Sequence, residues 1–165
     1  MKLNALRLSL VALVATSLTT GPAFAESSAD EYTHPESRLE FKIPRSWKVE
    51  TEGDLMTATH PSGELAVVLF VASEEDAEKF FSEIAGELDR FIKNVQFTRD
   101  PTEERVNNLT QVYVEGTGTV EGESIDFDLT YVLGGRKPMV AVAIGKIDAN
   151  QKAVTDIYRS IKKAE

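Results

Sequence analysis

Cysteine is absent from this sequence, and histidine occurs only twice, at His34 and His60. The absence of cysteine excludes disulfides, thiolate metal sites, thiol nucleophiles and a lipid-modified cysteine. Long hydrophobic runs are also scarce. The one apolar run near the N-terminus is short, and no later segment approaches the ~20 apolar residues that a membrane-spanning helix needs. The mature protein is therefore expected to be soluble.

Several catalytic and cofactor motifs are absent as well. The sequence has no Gly-x-Ser-x-Gly elbow, no phosphate-cradling glycine loop and no paired-histidine zinc motif. Gly116, Gly118 and Gly122 lie within a predicted hairpin and open no helix, so they do not form a dinucleotide fingerprint. We therefore predict no bound cofactor, no metal site and no catalytic residue set.

The first 25 residues have the pattern of a secretory signal peptide. Lys2 and Arg7 give a basic start, residues 8–18 are apolar, and the Ala-Phe-Ala of residues 23–25 matches the small-x-small cleavage rule. We predict cleavage after Ala25. Secretion without cysteine indicates a bacterial periplasm or the space beyond it.

The chain is acidic, with 27 Asp and Glu residues against 18 Lys and Arg residues and a formal net charge of −9. Removal of Lys2 and Arg7 with the signal peptide takes away two positive charges and shifts this value to −11. Such a charge repels nucleic acid and anionic lipid at long range. It keeps a secreted protein soluble and favours cationic partners.

The most regular pattern in the chain lies over residues 73–95. Its apolar residues recur at intervals of three and four, which predicts a long amphipathic helix with one buried face. Ser73 and Asp76 are predicted to form a capping box at its start, and Asp89 with Lys93 an ion pair on its outer face. The apolar residues are Ala77, Phe80, Phe81, Ile84, Leu88, Phe91, Ile92 and Val95.

Before this helix the sequence predicts a leader and four strands. Residues 26–37 are polar and aperiodic, which predicts a flexible leader. Strands are predicted over residues 39–43, 47–49, 55–59 and 65–71. The last of these is apolar on both faces, so we expect a central strand that helices, or the leader, cover from two sides.

After the helix, residues 96–105 are predicted as a polar connection that opens with a short edge strand. Three further strands are predicted over residues 109–120, 125–133 and 139–144. The third is again apolar on both faces. A second helix is predicted from Asp148, with Gln151 as the partner of Asp148 in a cap and with Lys162 and Lys163 at its negative end.

The order of the predicted elements is strands, helix, strands, helix. This order gives two antiparallel meanders, each followed by a helix, which most simply merge into one largely antiparallel sheet. The two most apolar strands then lie near the middle of that sheet. The sequence thus predicts a single α+β domain over residues 38–165.

The segment FKIPRSW, residues 41–47, followed by a meander and a long helix, resembles the opening of PsbP-like domains, named for the extrinsic photosystem II subunit. The similarity extends loosely to the segment IYRSI, residues 157–161, near the end of the chain. The resemblance implies an α/β/α sandwich on an antiparallel sheet. It also implies a non-catalytic accessory or adaptor protein, because the family includes photosystem assembly factors, a regulator of a nuclear-transport GTPase and chaperones of secreted effectors.

We therefore predict a non-enzymatic periplasmic accessory or protein-interaction module whose partner is another periplasmic or envelope protein. Two alternatives stay open. A small hydrolase would use His60 and Ser62 with Asp54 or Glu64 as the acid, although His60 also simply precedes Pro61 at a turn. A small-ligand carrier would use a pocket between the sheet and the leader.

Two further groups are candidate binding residues. Asp126 and Asp128 project from one predicted strand face and are candidate calcium ligands, although alternate acids on a strand more often face water. Arg136 and Lys137 form a compact basic spot on a predicted Gly-Gly hairpin of this acidic protein. They are the candidate contacts for an anionic group of a partner.

Overall fold

The computed structural model describes residues 28–73 and 76–165, which form two antiparallel sheets and two α-helices. The predicted signal peptide and its cleavage site lie outside the described residues. The strands are β1 (Ala29–Thr33), β2 (Leu39–Pro44), β3 (Lys48–Glu52), β4 (Leu55–Thr59), β5 (Leu65–Val71), β6 (Lys93–Phe97), β7 (Thr102–Val106), β8 (Leu109–Val120), β9 (Glu123–Leu133), β10 (Met139–Gly145) and β11 (Lys162–Lys163). The helices are α1 (Ala77–Leu88) and α2 (Gln151–Ser160). Neither helix is long and apolar enough to cross a membrane.

The larger sheet has eight strands in the order β3-β4-β5-β10-β9-β8-β6, with β7 also paired to β8. β5 and β10 lie side by side at its centre, as their apolar sequences predict. Alternate residues of β5 enter different clusters: Val67 and Leu69 pack on one side of the sheet, Val68 and Phe70 on the other. The predicted α+β class on a largely antiparallel sheet is confirmed.

Helix α1 covers one face of this sheet. Phe80, Ile84 and Leu88 recur along one side of the helix, are almost completely buried and join an apolar cluster with β8, β9 and β10. Burial of such side chains stabilises the fold by about 1.5–3 kcal/mol each. The helix is shorter than the predicted 73–95, because the chain turns after Leu88 and continues as β6 along the sheet edge. Helical periodicity persists past the turn because Ile92 packs into the same cluster.

The start of α1 also differs from the prediction. Asp76 Oδ1 accepts the N–H of Lys79 at 2.8 Å, so Asp76 is the capping residue. Ser73, the predicted cap, instead donates its hydroxyl to Glu87 at 2.5 Å. The predicted ion pair is confirmed just beyond the helix, where Lys93 Nζ lies 2.6 Å from Asp89 Oδ2.

Helix α2 covers the other face, together with β2. Val154, Ile157 and Tyr158 are buried, and the adjacent Ile161 is buried just beyond the helix. A 3-10 turn over Asp148–Asn150 leads into the helix.

The predicted ends of this helix need correction. Asn150 stands at the N-terminal cap without a side-chain hydrogen bond, so the predicted pair of Asp148 with Gln151 does not form the cap. Lys162 and Lys163 form β11 instead of the last helical turn. The reason is that the chain straightens at Ile161 and pairs with β2.

The second sheet has the order β1-β2-β11. β1 lies within the predicted flexible leader, and its pairing with β2 from Ala29 to Thr33 shows that this prediction is wrong for the described residues. The strand is polar and exposed apart from the half-buried Tyr32, so hydrophobic alternation does not mark it. The predicted merging of all strands into one sheet is also wrong, because β2 leaves the large sheet and lies over it beside α2.

The predicted polar connection over residues 96–105 is mostly strand. It contains the end of β6 and most of β7, both of which pair with β8. Four of the five residues of β7 are exposed and one is half-buried, so the sequence carries no apolar alternation there.

Candidate functional site

The basic spot at Arg136 and Lys137 lies on the β9–β10 connection and packs against the β1–β2 turn. Lys137 Nζ lies 2.7 Å from Glu36 Oε2, and the Lys137 ammonium lowers the pKa of that carboxyl. The backbone N–H of Arg136 donates to the carbonyl of Ser37 at 2.7 Å. A side chain at Gly135 would come within 2.6 Å of that carbonyl, which explains a glycine at this position. The two turns therefore form one ordered surface, which we call the hairpin surface (residues 35–37 and 134–137).

A shallow groove of about 590 Å³ runs along the hairpin surface. It lies where the ligand-carrier hypothesis expects a pocket, between the segment predicted as a leader and the edge of the sheet. Its lining residues are Pro35, Glu36, Gly53, Asp54, Val71 and Lys137. Beside it, the fully buried His34 contacts the carbonyl of Asp54 through Nε2 at 2.6 Å, and burial lowers the pKa of this imidazole. His34 thus connects the β1–β2 turn to the β3–β4 turn.

The structure brings the predicted hydrolase residues His60 and Ser62 together, but through a local turn. His60 Nδ1 accepts the N–H of Ser62 at 3.1 Å and lies 2.9 Å from Ser62 Oγ, so one ring nitrogen makes both contacts. The ring lies edge-on to Trp47, with centroids 5.3 Å apart. Two contacts across two residues are typical of a side chain that closes a turn.

The two acids proposed for this hydrolase have other contacts, Glu64 through its carboxylate and Asp54 through its backbone carbonyl. The Glu64 carboxylate pairs with Lys146. Asp54 holds His34 through its carbonyl group. Within the described part of the chain, no carboxylate hydrogen-bonds to His60, whereas a triad needs an acid that orients the imidazole.

The candidate calcium ligands Asp126 and Asp128 have different surroundings. Asp126 is exposed, whereas Asp128 is only 6% exposed, which corrects the expectation that both face water. Burial, more than any other effect, raises the pKa of Asp128. Residues 28–73 and 76–165 contain no group of three or more His, Asp or Glu side chains placed to hold a metal ion.

Asp128 belongs to a buried polar cluster between α2 and the β8–β9 pair. Tyr158 of α2 donates its hydroxyl to the Asp128 carbonyl at 2.9 Å and accepts the N–H of Ala143 at 2.9 Å. Gln151 Nε2 lies 3.5 Å from Asp128 Oδ2. These contacts fasten the first and last turns of α2 to the sheet.

A cavity of about 170 Å³ lies in this cluster, and we call it the α2 cavity. Its lining residues are Glu104, Gln111, Tyr113, Thr130, Gln151, Thr155, Tyr158 and Arg159. The sequence did not predict this cavity, because the alternation that places Asp126 and Asp128 on one strand face also fits a face exposed to water. One pattern in the sequence could have predicted a polar site here, because Gln111 and Tyr113 alternate with the buried Val112 and Val114 along β8.

Comparison of the sequence with protein-family models and with curated proteins yields no match. Solved structures do match the fold. The solution structure of a cyanobacterial PsbP protein from Synechocystis superposes with a TM-score of 0.58 at 10% identity, covering 87% of this chain and 97% of that one. LpqN of Mycobacterium tuberculosis, described as involved in cell envelope biogenesis, superposes with a TM-score of 0.55 at 13% identity, covering 82% of this chain and 90% of that one.

A protein of unknown function from Pseudomonas aeruginosa superposes with a TM-score of 0.51 at 12% identity, covering 80% of this chain and 94% of that one. At such identities these similarities concern the fold alone. The chain therefore shares its fold with these proteins, the PsbP protein among them.

Proposed function

We propose that this protein is a non-enzymatic accessory module of the bacterial cell envelope that binds another envelope protein through the hairpin surface. The observation that carries the proposal is the pre-ordered basic spot on an acidic protein. Lys137 is fixed by Glu36, and Arg136 is held by its backbone to Ser37, with its side chain exposed. A fixed cation on a surface of opposite net charge gives orientation and specificity to an encounter with an acidic patch.

The fold supports the same proposal. The neighbours that share this fold over most of their length include a PsbP protein and a protein of cell envelope biogenesis. Folds host many functions, so this similarity adds weight without naming a partner. The predicted signal peptide supports a periplasmic or secreted location.

The hydrolase alternative is less well supported. The contacts of His60 with Ser62 are those of a turn, and Glu64 is paired with Lys146. A histidine that acts as a general base must lie within hydrogen-bond reach of the proton that it abstracts, and an acid must orient its ring.

The test is affinity capture from a periplasmic fraction, followed by a binding measurement with the purified partner. Wild type is compared with the Arg136→Glu, Lys137→Glu double variant and with Lys152→Glu, which reverses a charge and breaks an exposed ion pair on α2. We expect the double variant alone to weaken the complex, and higher salt to weaken the wild-type complex. Equal binding by all three proteins would contradict the hairpin surface as the contact.

A second arm separates the module from the hydrolase. His60→Ala should keep binding and biological role, provided that its melting curve matches wild type. His34 is left unchanged because it is fully buried, so its replacement would test folding and not chemistry. Loss of the biological role in a folded His60→Ala protein that still binds its partner would favour the hydrolase.

The location has its own test. Export and cleavage after Ala25 predict a mature protein that begins at Glu26, which mass spectrometry of fractionated cells can measure. Recovery of the intact chain from the cytoplasm would contradict the envelope part of the proposal and leave the binding experiment standing.

A further inference from the structure

Thr130, one of the residues that line the α2 cavity, carries an unpaired buried hydroxyl. Thr130 is 1% exposed, and its Oγ1 is the one buried side-chain nitrogen or oxygen in residues 28–73 and 76–165 without a hydrogen-bond partner. Buried polar atoms are nearly always paired with protein or with an ordered molecule, so such an atom needs an explanation. Thr130 also lines the α2 cavity, which gives a bound molecule room beside it.

The walls of the cavity are already fixed by contacts among themselves. Gln111 of β8 is 2% exposed and donates Nε2 to the carbonyl of Tyr158 at 3.2 Å. The Tyr158 hydroxyl is held between Ala143 and Asp128. Tyr113 lies directly opposite Thr130 in the β8–β9 register and places its hydroxyl 3.2 Å from Glu115 Oε1. A site whose side chains are fixed before binding loses little conformational freedom when a ligand enters.

The chemistry of the walls indicates an uncharged ligand. Hydroxyls and amides dominate the lining, through Tyr113, Thr130, Thr155, Gln111 and Gln151. These groups both donate and accept hydrogen bonds, which is also what the hydroxyls of a ligand do.

The charged residues around the cavity also favour an uncharged ligand. At its rim, Arg159 lies 3.6 Å from Glu104, so its one lining cation faces a carboxylate. The buried Asp128 and the neighbouring Glu115 disfavour an anion. Burial raises the pKa of Asp128, which reduces its value as a counter-ion for an ammonium group.

We propose that the α2 cavity is a binding site for a small uncharged polyol that hydrogen-bonds to Thr130 Oγ1. The volume of about 170 Å³ corresponds to roughly five or six water molecules at ~30 Å³ each, which suits a polyol of three to five carbons and is too small to enclose a disaccharide. The α2 cavity and the hairpin surface share no residue, and this inference does not depend on the proposed partner.

The experiment is a titration of the ¹⁵N-labelled protein with glycerol, followed by amide chemical shifts. We expect saturable shifts at β8, β9 and α2 around the cavity, with no comparable shifts at the hairpin surface. Sucrose serves as the size control, because it shares the hydroxyl chemistry and is too large to enter. Shifts that grow linearly, that spread over the whole surface, or that sucrose reproduces would overturn the proposal and leave water as the occupant.

Charge is tested with molecules of similar skeleton. Glycerol carries no charge, 3-amino-1,2-propanediol carries an ammonium group and glycerate carries a carboxylate. We expect glycerol to bind more tightly than either charged relative. Tighter binding of the amine or of glycerate would overturn the assignment of an uncharged ligand.

Variants test the role of Thr130. Thr130→Val keeps the shape, removes the hydroxyl and should weaken glycerol binding about tenfold, the loss expected for one hydrogen bond at the upper end of its range. Thr130→Ser restores the hydroxyl and should restore binding. Thr117→Val, on β8 outside the cavity, is the matched control and should bind like wild type. If the folded Thr130→Val and Thr130→Ser proteins bind glycerol equally well, Oγ1 does not contribute to binding and this part of the proposal is overturned. The titration of the wild-type protein tests the site even if a variant fails to fold.

Discussion

The two faces of the large sheet are built by the same strands and differ in what they bury. On the α1 face, the rings of Phe80 and Tyr131 stack with centroids 4.3 Å apart within a wholly apolar or aromatic cluster. On the α2 face, beside β8 and β9, the buried residues include Gln111, Asp128 and Thr130. Alternation along a strand makes this possible, because successive side chains point to opposite faces.

The difference is local, because each face also buries an apolar cluster. Close apolar packing under α1 supplies stability, since buried apolar area is the dominant favourable contribution to folding. Under α2, each buried polar group costs free energy unless it finds a partner, and Thr130 has none among the described residues. The apolar residues packed under α2, among them Val154 and Ile157, offset that cost. Substitutions on the two faces test the contrast between them.

The largest effect is expected from Phe80→Asp, which places an unpaired carboxylate in the α1 cluster. We expect a loss of at least about 4 kcal/mol of unfolding free energy, enough to prevent accumulation of folded protein. Glu83→Lys, on the exposed side of α1, is the matched control and should stay within about 0.5 kcal/mol. Thermal melts of both proteins test this prediction, and small equal shifts would mean that Phe80 does not lie in a buried apolar cluster under α1.

The α1 face was largely predictable from the sequence. The three- and four-residue spacing from Phe80 to Ile92 predicts its buried residues, and the apolar runs of β5 and β10 predict two central strands. The end of the helix was not predictable from periodicity, because Ile92 packs into the same cluster after the helix has ended. The spacing of apolar residues predicts which side chains are buried, but it does not predict whether the backbone at each of them is helical.

The α2 face was much harder to predict. Asp128 and Thr130 alternate with apolar residues, a pattern that also fits a solvated strand face, and the packing of α2 over them is a long-range contact. The strand β1 was not predicted for a similar reason, since it is stabilised by pairing with β2 and not by apolar residues of its own. His34 thus looked like part of a leader although it is fully buried.

A smaller effect, with opposite signs at two glycines, tests how tightly the α1 face is packed. A Cβ at Gly116 would lie 2.3 Å from the ring of Phe127 and 2.7 Å from the carbonyl of Gln96, so Gly116→Ala should cost about 1–3 kcal/mol. Gly86 in α1 has open space around it, and Gly86→Ala should gain roughly 0.5–1 kcal/mol. Urea unfolding measures both. If Gly116→Ala left the free energy of unfolding unchanged, the packing of the α1 face would be able to relax around the added methyl group, and this face would not be rigidly packed.

The α2 face should respond to pH through Asp128. Because burial raises the pKa of this carboxyl in the folded state, protonation favours folding, and the penalty for the charged form develops as pH rises above the ordinary value of 3.8. Asp128→Asn removes that charge. The variant should therefore gain stability relative to wild type as pH rises from 4 to 8, measured by urea unfolding at each pH. A difference that does not change with pH would mean that the carboxylate is well solvated or well paired when folded.

The smallest effects are expected at the exposed ion pairs near the two helices, where the two sides of the molecule should behave alike. Lys93 lies 2.6 Å from Asp89 beside α1, and Lys152 lies 2.5 Å from Asp156 on α2, with every one of these side chains at least half exposed. Exposed pairs of this spacing contribute about 0.2–0.5 kcal/mol, because water and salt screen the charges. Lys93→Ala and Lys152→Ala should each lower the melting temperature by no more than about 2 °C, and 1 M salt should remove most of the difference. If Lys152→Ala instead cost more than about 1 kcal/mol in low salt, 1 M salt removed that cost and Lys93→Ala stayed neutral, surface charge would hold α2 in place, and the contrast between the two faces would not arise from their interiors.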